Sequence, residues 1–306
     1  MRGGAGEEPR ISIVVPVLDQ VAYVERCLRS VLDQGYPDVE VVVVDGGSTD
    51  GTLEVLRRYE DRVAWVSEPD DGQSDAIDKG MARTTGELVN WLNADDVLLS
   101  GSLAALAEAF TAAGGAPAVY VGGGARLDAE GAVLATVAAR EVTRPVLPTA
   151  PPIAGGDQAA WFLARSVWQQ LGGVDRRLHF AMDIDLYHRC RAAGVPFLAV
   201  DAVLAGYREH PGNKTSSAWR RSIAEKARWH HDALGRLPAE EREVYGPRVE
   251  RYVTSLYLNS IRPAMPVDER VRRVGHAVRL HPALLVRRNR LRRVWGLLRG
   301  QSTSSP

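Results

Sequence analysis

Val39-Glu40-Val41-Val42-Val43-Val44-Asp45 is a nearly continuous β-branched run that ends on a carboxylate. Such a run suits a strand buried on both faces, as in the middle of a parallel sheet. Outward from it, strand-like segments at 11–17, 62–67 and 87–92 alternate with helically spaced segments at 21–34, 52–59, 74–83 and 102–112. This β-α-β-α order predicts an α/β fold, a mostly parallel sheet with helices on both faces. The stretch 114–156 is richer in Gly, Pro and short apolar runs (118–121, 133–137) and reads as added strands and loops around a cleft. Helices are expected at 164–171 and 184–193, and strands at 197–200 and 203–207. From Ala218 onward the pattern is helical, with breaks expected at Pro238, Pro247, Pro263, Pro266 and Pro282.

With 306 residues, 45% hydrophobic and 25% charged, the chain can form one large α/β domain or two smaller ones. Its formal net charge of +0 supplies no global field toward nucleic acid or membrane. The average hides ten arginines between Arg270 and Arg299 with no Asp or Glu among them. Cys27 and Cys190 are too few and too far apart for a zinc motif, and free thiols in a reducing compartment are expected. There is no signal-like apolar core near the N-terminus and no run of eighteen apolar residues, so a cytoplasmic location is expected.

In open parallel sheets a ligand sits at the carboxyl ends of the strands. Polar clusters fall at four such ends: 16–20, 45–51, 68–73 and 93–96. The richest is Glu87-Leu88-Val89-Asn90-Trp91-Leu92-Asn93-Ala94-Asp95-Asp96, an apolar strand ending in adjacent carboxylates. Those acids either hold a hard cation such as Mg²⁺ or Mn²⁺, or cap the helix expected near Ser100. In Asp45-Gly46-Gly47-Ser48-Thr49-Asp50-Gly51 the glycines allow close backbone approach, Asp45 can accept from a nucleobase or ribose, and Asp50 reads as a helix cap. The spacing matches neither GxxxxGK[ST] nor GxGxxG, which removes support from ATPase and dinucleotide-oxidoreductase readings.

Asp75 and Lys79 stand at i,i+4; Lys79 either pairs with Asp75 or lies beside a diphosphate. Asp183 and Asp185 open a helix, where acids satisfy free amides or, in the case of Asp183, serve as a general base. In Tyr207-Arg208-Glu209-His210-Pro211-Gly212-Asn213-Lys214-Thr215 a neutral imidazole can ligate Mn²⁺, and Arg208 and Lys214 can hold phosphate oxygens. The absence of Gly-x-Ser-x-Gly and His-Glu-x-x-His argues against hydrolase and zinc-protease readings.

Taken in order, Val15-Pro16-Val17-Leu18-Asp19, Val44 to Gly51, Glu68 to Ala76, Asn93-Ala94-Asp95-Asp96, Ala181-Met182-Asp183-Ile184-Asp185-Leu186 and His210 to Thr215 resemble glycosyltransferase family 2, the inverting nucleotide-sugar transferases of GT-A fold. The resemblance implies a GT-A domain over 11–215, split into a nucleotide half (11–112) and an acceptor half (113–215). A disordered stretch 1–10 is expected before it and a helical region 216–306 after it. It implies that Pro16, Val17 and Asp19 line the nucleotide pocket, that Asp45 and Gly46 meet the base, and that Asp71, Gly72 and Gln73 border the nucleotide. Lys79, Asn93, Ala94 and Lys214 join that donor set. Asp95 would lie near ribose and metal, Asp96 would be the main ligand of Mg²⁺ or Mn²⁺, His210 would complete the metal site, and Asp183 would deprotonate the acceptor hydroxyl.

Departures are Asn93 where the family's Asp-x-Asp often begins with Asp, Asp19 and Asp78 in place of Asn, and Met182 where many relatives have Glu. The Gln-x-x-Arg-Trp motif of processive synthases is absent, which implies single-sugar addition. The expected partners are a nucleoside diphosphate sugar, UDP first, and a hydroxyl acceptor in a glycan, a lipid-linked molecule or a small metabolite. No nucleic acid is expected. Competing readings are a sugar nucleotidyltransferase and a non-catalytic nucleotide-sugar-binding protein. The Arg-rich segments 271–280 and 284–298 interleave Arg with apolar residues, suiting peripheral contact with an anionic membrane or a packed helix with a solvated basic face.

Overall fold

The computed structural model describes residues 8–141, 145–151, 153–261, 265–280, 295, 296 and 299. They belong to two compact units, one of 1–145 with 149–213 and one of 146–148 with 214–306. In the first unit β1 (Ile11–Val17), α1 (Val24–Leu32), β2 (Val39–Asp45), α2 (Thr52–Arg57), β3 (Ala64–Ser67), α3 (Gln73–Met81) and β4 (Leu88–Trp91) alternate without interruption. A short β5 (Val97–Leu98) precedes α4 (Ser102–Ala112) and β6 (Val119–Leu127). Then come β7 (Val133–Val137), β8 (Arg140–Glu141), β9 (Ile153–Ala154), a 3₁₀ turn at Gln158–Ala160 and β10 (Trp161–Ala164). The unit closes with α5 (Arg165–Leu171), α6 (Met182–Ala192) and β11 (Phe197–Arg208).

The main sheet runs β3-β2-β1-β4-β10-β6-β11-β5, with β7 added on β6. β1 is parallel to β2 and β4, β2 to β3, and β6 to β11, while β10 is antiparallel to both its neighbours. This is the mostly parallel α/β sheet predicted from sequence. Chain order reverses between β1 and β4, so the loops after β1, β2 and β4 open onto one crevice. Every residue of β1 is buried, as is Val41–Asp45 within β2, which is why both strands are apolar on both faces. Helix α1 covers the sheet with Val24, Cys27, Leu28 and Val31, the i, i+3, i+4, i+7 spacing of one helical face.

Three differences from the sequence reading bear on the site. The apolar run Trp161–Ala164, for which no strand was expected and whose last residue was placed in the helix at 164–171, is a separate strand wedged between β4 and β6; periodicity cannot separate a four-residue buried strand from a helical turn. The two strands expected at 197–200 and 203–207 are one strand, β11, whose register shifts between Ala199 and Ala205 absorb the polar Asp201. Finally, β5 intervenes before α4, whose N-cap is Gly101, so Asp95 and Asp96 do not cap that helix.

Of the expected disordered stretch 1–10, residues 1–7 lie outside the described residues. Pro9 and Arg10 are held instead: the Tyr36 hydroxyl donates to the Pro9 carbonyl at 2.7 Å, and Arg10 Nε to Asp38 at 2.8 Å.

The second unit contains α7 (Lys214–Ser217), α8 (Trp219–Gly235), α9 (Ala239–Asn259) and α10 (Val267–Leu280), so Lys214 falls in the helical unit rather than the sheet domain. Its core joins Leu147 to Trp219, Ile223, Val249, Val253 and Tyr257. Pro247 does not break α9 as expected. Helical geometry before a proline is disfavoured by a clash with the preceding Cβ, and Gly246 has none. In α10, Arg272 pairs with Asp268 and Glu269, and Arg273 pairs with Glu269 while stacking over Trp219 at 4.5 Å. Part of the Arg-rich charge is thus spent inside the helical unit. Of 284–298 only Trp295 and Gly296 are described. Among the described residues no helix is long and apolar enough to cross a membrane.

Candidate active site

The loops after β1 and β2 are stitched together by side chains that satisfy backbone groups. Asp19 adopts φ 50°, a left-handed conformation that Asp and Asn tolerate better than most residues. From there its amide donates to Ser48 Oγ and its Oδ1 accepts from the Thr49 amide, both at 2.8 Å. The Gln20 amide donates to Thr52 Oγ1 at 3.0 Å and the Val21 amide to Asp50 Oδ2 at 2.9 Å. Asp50 Oδ1 also accepts from the Thr52 amide and hydroxyl at 2.9 and 2.6 Å, so it holds the start of α2 from one residue before the N-cap, which is Gly51 rather than Asp50 as expected. Asp45, fully buried, turns Oδ2 to the Gly47 and Ser48 amides and the Ser67 hydroxyl. Its Oδ1 is enclosed without a hydrogen bond. The Gly46 amide donates to the Val17 carbonyl, and a Cβ on Gly46 would lie 2.6 Å from Asp70 Oδ2, so any larger residue there would displace the Asp70 carboxylate. Pro16 and Val17 pair in register with Val44 and Asp45, which sets the two loops side by side.

The third loop folds onto the start of α3. Asp70 Oδ1 accepts from the Gly72 amide at 2.8 Å, while Asp71 leaves its side chain exposed. Lys79 realises the ion-pair alternative: its ammonium contacts Asp75 at 3.0 Å, Glu68 at 3.3 Å and the Pro69 carbonyl at 3.0 Å, three partners for three N–H groups. Gln73 reaches across to β4 and donates to Asn93 Oδ1 at 2.5 Å, and Asn93 donates onward to Asp96 Oδ2 at 3.0 Å. Asn93, the departure noted in the sequence, therefore acts as an amide bridge between the start of α3 and the second acid.

The two acids differ sharply. Asp96 is 2% exposed, and its Oδ1 accepts from the Arg208 amide at 3.0 Å. Burial pushes its carboxyl well above the ordinary range, and the Asp95 charge pushes the same way. Asp95, whose side chain is 15% exposed, accepts at Oδ2 from His210 Nε2 at 3.1 Å and from Asn213 Nδ2 at 2.9 Å. Its Oδ1 makes no hydrogen bond among the described residues. Ala94, between β4 and the acids, is buried.

Among the described residues no three His, Cys, Asp or Glu side chains are gathered to hold a metal ion. The Asp95–Asp96–His210 set implied by the resemblance is therefore not preassembled, because Asp96 is engaged by Arg208 and Asn93 and His210 is engaged by Asp95. The donor chemistry still fits a hard cation that takes one or two carboxylates and draws its other ligands from phosphate and water.

Two residues of the last loop were undervalued by the sequence reading. Arg208, weighed there as a phosphate ligand, is 2% exposed, and its guanidinium donates to the carbonyls of Asp95, Asp128 and Ala129. Asn213 ties Asp95 to the Arg208 carbonyl and takes the His210 amide on its own Oδ1 at 2.6 Å. Its place in the His-Pro-Gly-Asn segment was the available signal. His210 is further fixed by stacking on Tyr23, ring centres 4.3 Å apart.

Asp183 lies half-buried in the first turn of α6 and accepts no hydrogen bond among the described residues, whereas Asp185 is paired with Arg189 at 2.7 Å. The segment leading into α6 is fastened to the start of α3. Ser74 Oγ donates to the Leu178 carbonyl at 2.6 Å, Arg176 pairs with Asp75 and Asp78, and a Cβ on Gly72 would sit 3.0 Å from His179 Nδ1. Asp96, Asn93, Gln73 and the approach to Asp183 are thus linked through one helix end. Below them Gln158 donates to Asn90 Oδ1 and the Trp91 carbonyl at 2.7 and 2.8 Å, while Asn90 Nδ2 returns a bond to the Ala159 carbonyl. The glycines of β6 permit this, since a Cβ on Gly124 would lie 2.4 Å from Gly156 Cα. The clasp and the adjacent Asp157, whose charge adds to the upward pressure on Asp96, had no role in the sequence reading.

Residues 12–131 match the family model described as Glycosyl transferase family 2. The chain is similar to a PGL/p-HBAD biosynthesis glycosyltransferase of Mycobacterium tuberculosis, 36% identical over 106 residues, covering 33% of this chain and 41% of that protein. It is similar to a Campylobacter jejuni GalNAc(5)-diNAcBac-PP-undecaprenol beta-1,3-glucosyltransferase, 30% identical over 105 residues, covering 33% of this chain and 34% of that one. The match therefore spans between a third and two-fifths of these curated relatives' length. In fold it is similar to S. aureus TarS 1–349 in complex with UDP-GlcNAc, with TM-score 0.57 and 17% identity over 96% of this chain and 93% of that one. The mannosyltransferase PcManGT of Pyrobaculum calidifontis, in complex with GDP-Man and Mn²⁺, matches with TM-score 0.57 and 17% identity over 96% and 86%.

Proposed function

We propose, from the match of residues 12–131 to the Glycosyl transferase family 2 model, that the chain moves one sugar from a nucleoside diphosphate sugar to an acceptor hydroxyl, with inversion and with Mg²⁺ or Mn²⁺. The observation that carries the reading is the hydrogen-bonded line from Gln73 through Asn93 to Asp96, alongside Asp95 with His210 and Asn213, at the carboxyl ends of a parallel sheet. The enclosed Asp45 Oδ1 has no hydrogen bond among the described residues, and in this reading it would accept from a donor such as a base imide, with Pro16, Val17, Asp19 and Gly46 beside the nucleotide. Asp71, Gly72 and Gln73 would border the same nucleotide. Asp95 would offer its free oxygen to such a cation, and Asp96, implied by the resemblance as the main ligand, would have to release Asn93 or the Arg208 amide to join it. A bound cation would stabilise charge on the departing diphosphate.

In the transfer step the acceptor oxygen forms a bond to the anomeric carbon as the anomeric C–O bond to phosphate breaks, its electron pair leaving with the diphosphate. The acceptor proton passes to Asp183. UDP is the first donor to test. The nucleotide sugars held by the S. aureus and Pyrobaculum neighbours, and the Mn²⁺ of the latter, support the donor class and the metal. Peripheral membrane contact through α10 and the Arg-rich C-terminus belongs to the same reading. It is tested by vesicle co-sedimentation with and without residues 266–306.

The central test pairs a thermal-shift panel of sugar nucleotides with Mn²⁺ against product analysis. Release of nucleoside diphosphate is expected; release of pyrophosphate would replace the reading with nucleotidyl transfer. Asp183→Asn should lower turnover about 10²-fold or more while donor affinity holds. Turnover above a tenth of wild type would remove Asp183 as base.

A further inference from the structure

Tyr187 lies one turn beyond Asp183 on α6 and carries the buried hydroxyl that the transfer chemistry leaves unused. Helical side chains at i and i+4 share a face, and long ones lean back over the preceding turn, which directs the Tyr187 ring toward Asp183. The residue is 5% exposed and its ring lies against Trp161, centroids 4.5 Å apart. Its hydroxyl is enclosed and, among the described residues, has no partner within hydrogen-bonding geometry. Gln158 lies near enough to oppose the rise of the phenol slightly, but its Nε2 is committed to Asn90 and the Trp91 carbonyl at 2.7 and 2.8 Å. Burial pushes the phenol well above its ordinary value, and the nearby Asp183 charge adds to this, so the group is an O–H donor throughout the working pH range.

A phenylalanine would fill the same space against Trp161 without an unsatisfied hydroxyl, whose burial costs about 1–3 kcal/mol. The chain keeps the hydroxyl all the same. The carboxylate one turn earlier is a charged acceptor without a hydrogen bond of its own among the described residues. Donor and acceptor are both unspent, on one face of one helix.

We infer that Tyr187 is a positioning residue for Asp183: when acceptor and donor close the site to water, the Tyr187 hydroxyl donates to one carboxylate oxygen of Asp183, fixing its rotamer and leaving the other oxygen to take the acceptor proton. The inference rests on the assignment of Asp183 as base. Hydrogen bonding to the ionised form also keeps that carboxylate charged to lower pH.

The test compares Tyr187→Phe, Asp183→Asn and the double variant in the full chain. The probes are UDP-glucose, UDP-N-acetylglucosamine and GDP-mannose with Mn²⁺, and the readout is nucleoside diphosphate release to water or to simple sugar acceptors. Tyr187→Phe should raise Tm by about 2–4 °C, as expected from removing an unsatisfied buried group in a domain of this size. It should leave donor affinity within about twofold, lower kcat about tenfold, and move the acid limb of the pH–rate profile upward by about half a unit. A purely structural tyrosine would give the opposite Tm change and no movement of that limb. Unchanged kcat and pH profile, alongside a collapsed Asp183→Asn, overturn the positioning inference alone. An active Asp183→Asn instead overturns the base assignment. The double variant should lose no more than Asp183→Asn; a further tenfold loss would show that Tyr187 acts independently and end the proposal.

Discussion

Around β1 and β2 most aspartate oxygens are consumed by the chain itself: Asp19 and Asp50 hold backbone amides of the facing loop, and Asp45 Oδ2 holds three donors at once, leaving only its enclosed Oδ1 unused among the described residues. Beyond β4 and at α6 the same residue type is treated differently. Asp96 is sealed from water next to a second acid, Asp95 keeps one oxygen without a hydrogen bond, and Asp183 accepts none among the described residues. A carboxylate surrounded by amides has already spent its charge on architecture. One desolvated beside another acid holds electrostatic stress that a cation or a proton can relieve. The contrast separates the acids that build the crevice from those available for its chemistry.

The sharpest way to break this contrast is to remove an architectural acid. Asp45→Ala leaves two amides and the Ser67 hydroxyl without their acceptor in a buried place. The expected loss is about 3 kcal/mol in urea denaturation. A loss under about 1 kcal/mol would mean that the loop holds itself and that Asp45 is kept for ligand alone.

Much of the nucleotide half was legible because its strands are buried on both faces and its helices on one. The β2 run and the spacing of α1 therefore report their environment directly. Asp50 was readable as a helix-start residue because such bonds are local, although the N-cap itself is Gly51. What escaped was long-range. Nothing in Trp161–Ala164 alone distinguishes a strand between β4 and β6 from a helical turn, and nothing near Arg208 says that its guanidinium will be used up on carbonyls 79 to 113 residues away. The metal set was inferred from residue types, but types do not specify which oxygens are already engaged. The Gln73–Asn93–Asp96 line, which joins two quoted segments, becomes visible only when α3 and β4 are placed side by side.

Asp96→Asn sharpens the contrast from the other side. The folded carboxyl titrates above its ordinary value of 3.8, so between the unfolded and folded values the native chain holds more protons than the unfolded one. Its contribution to stability is therefore present at low pH and is lost as pH rises through that window. Relative to wild type, Asp96→Asn should gain Tm as pH increases, and that gain should shrink when Mn²⁺ and donor are added. Donor affinity in Mn²⁺ should weaken about tenfold, about 1.4 kcal/mol. A Tm difference independent of pH would show that Asp96 carries no buried charge in the folded state.

The smallest expected effect belongs to Asp50, which tests whether the two loops are joined or merely adjacent. Its Oδ1 serves Thr52 at the start of α2, and its Oδ2 serves the Val21 amide across the crevice floor. Asp50→Ala removes both and should cost about 1 kcal/mol, the scale of a lost side-chain-to-backbone hydrogen bond. Asp50→Asn keeps an acceptor for Thr52 and turns an N–H toward Val21, so it separates the two bonds. If the loops are joined through Val21, Asp50→Asn should weaken donor binding as much as Asp50→Ala while recovering most of the stability. If Asp50→Asn instead binds donor like wild type, the Val21 bond is incidental and Asp19, through Ser48 and Thr49, holds the loops together.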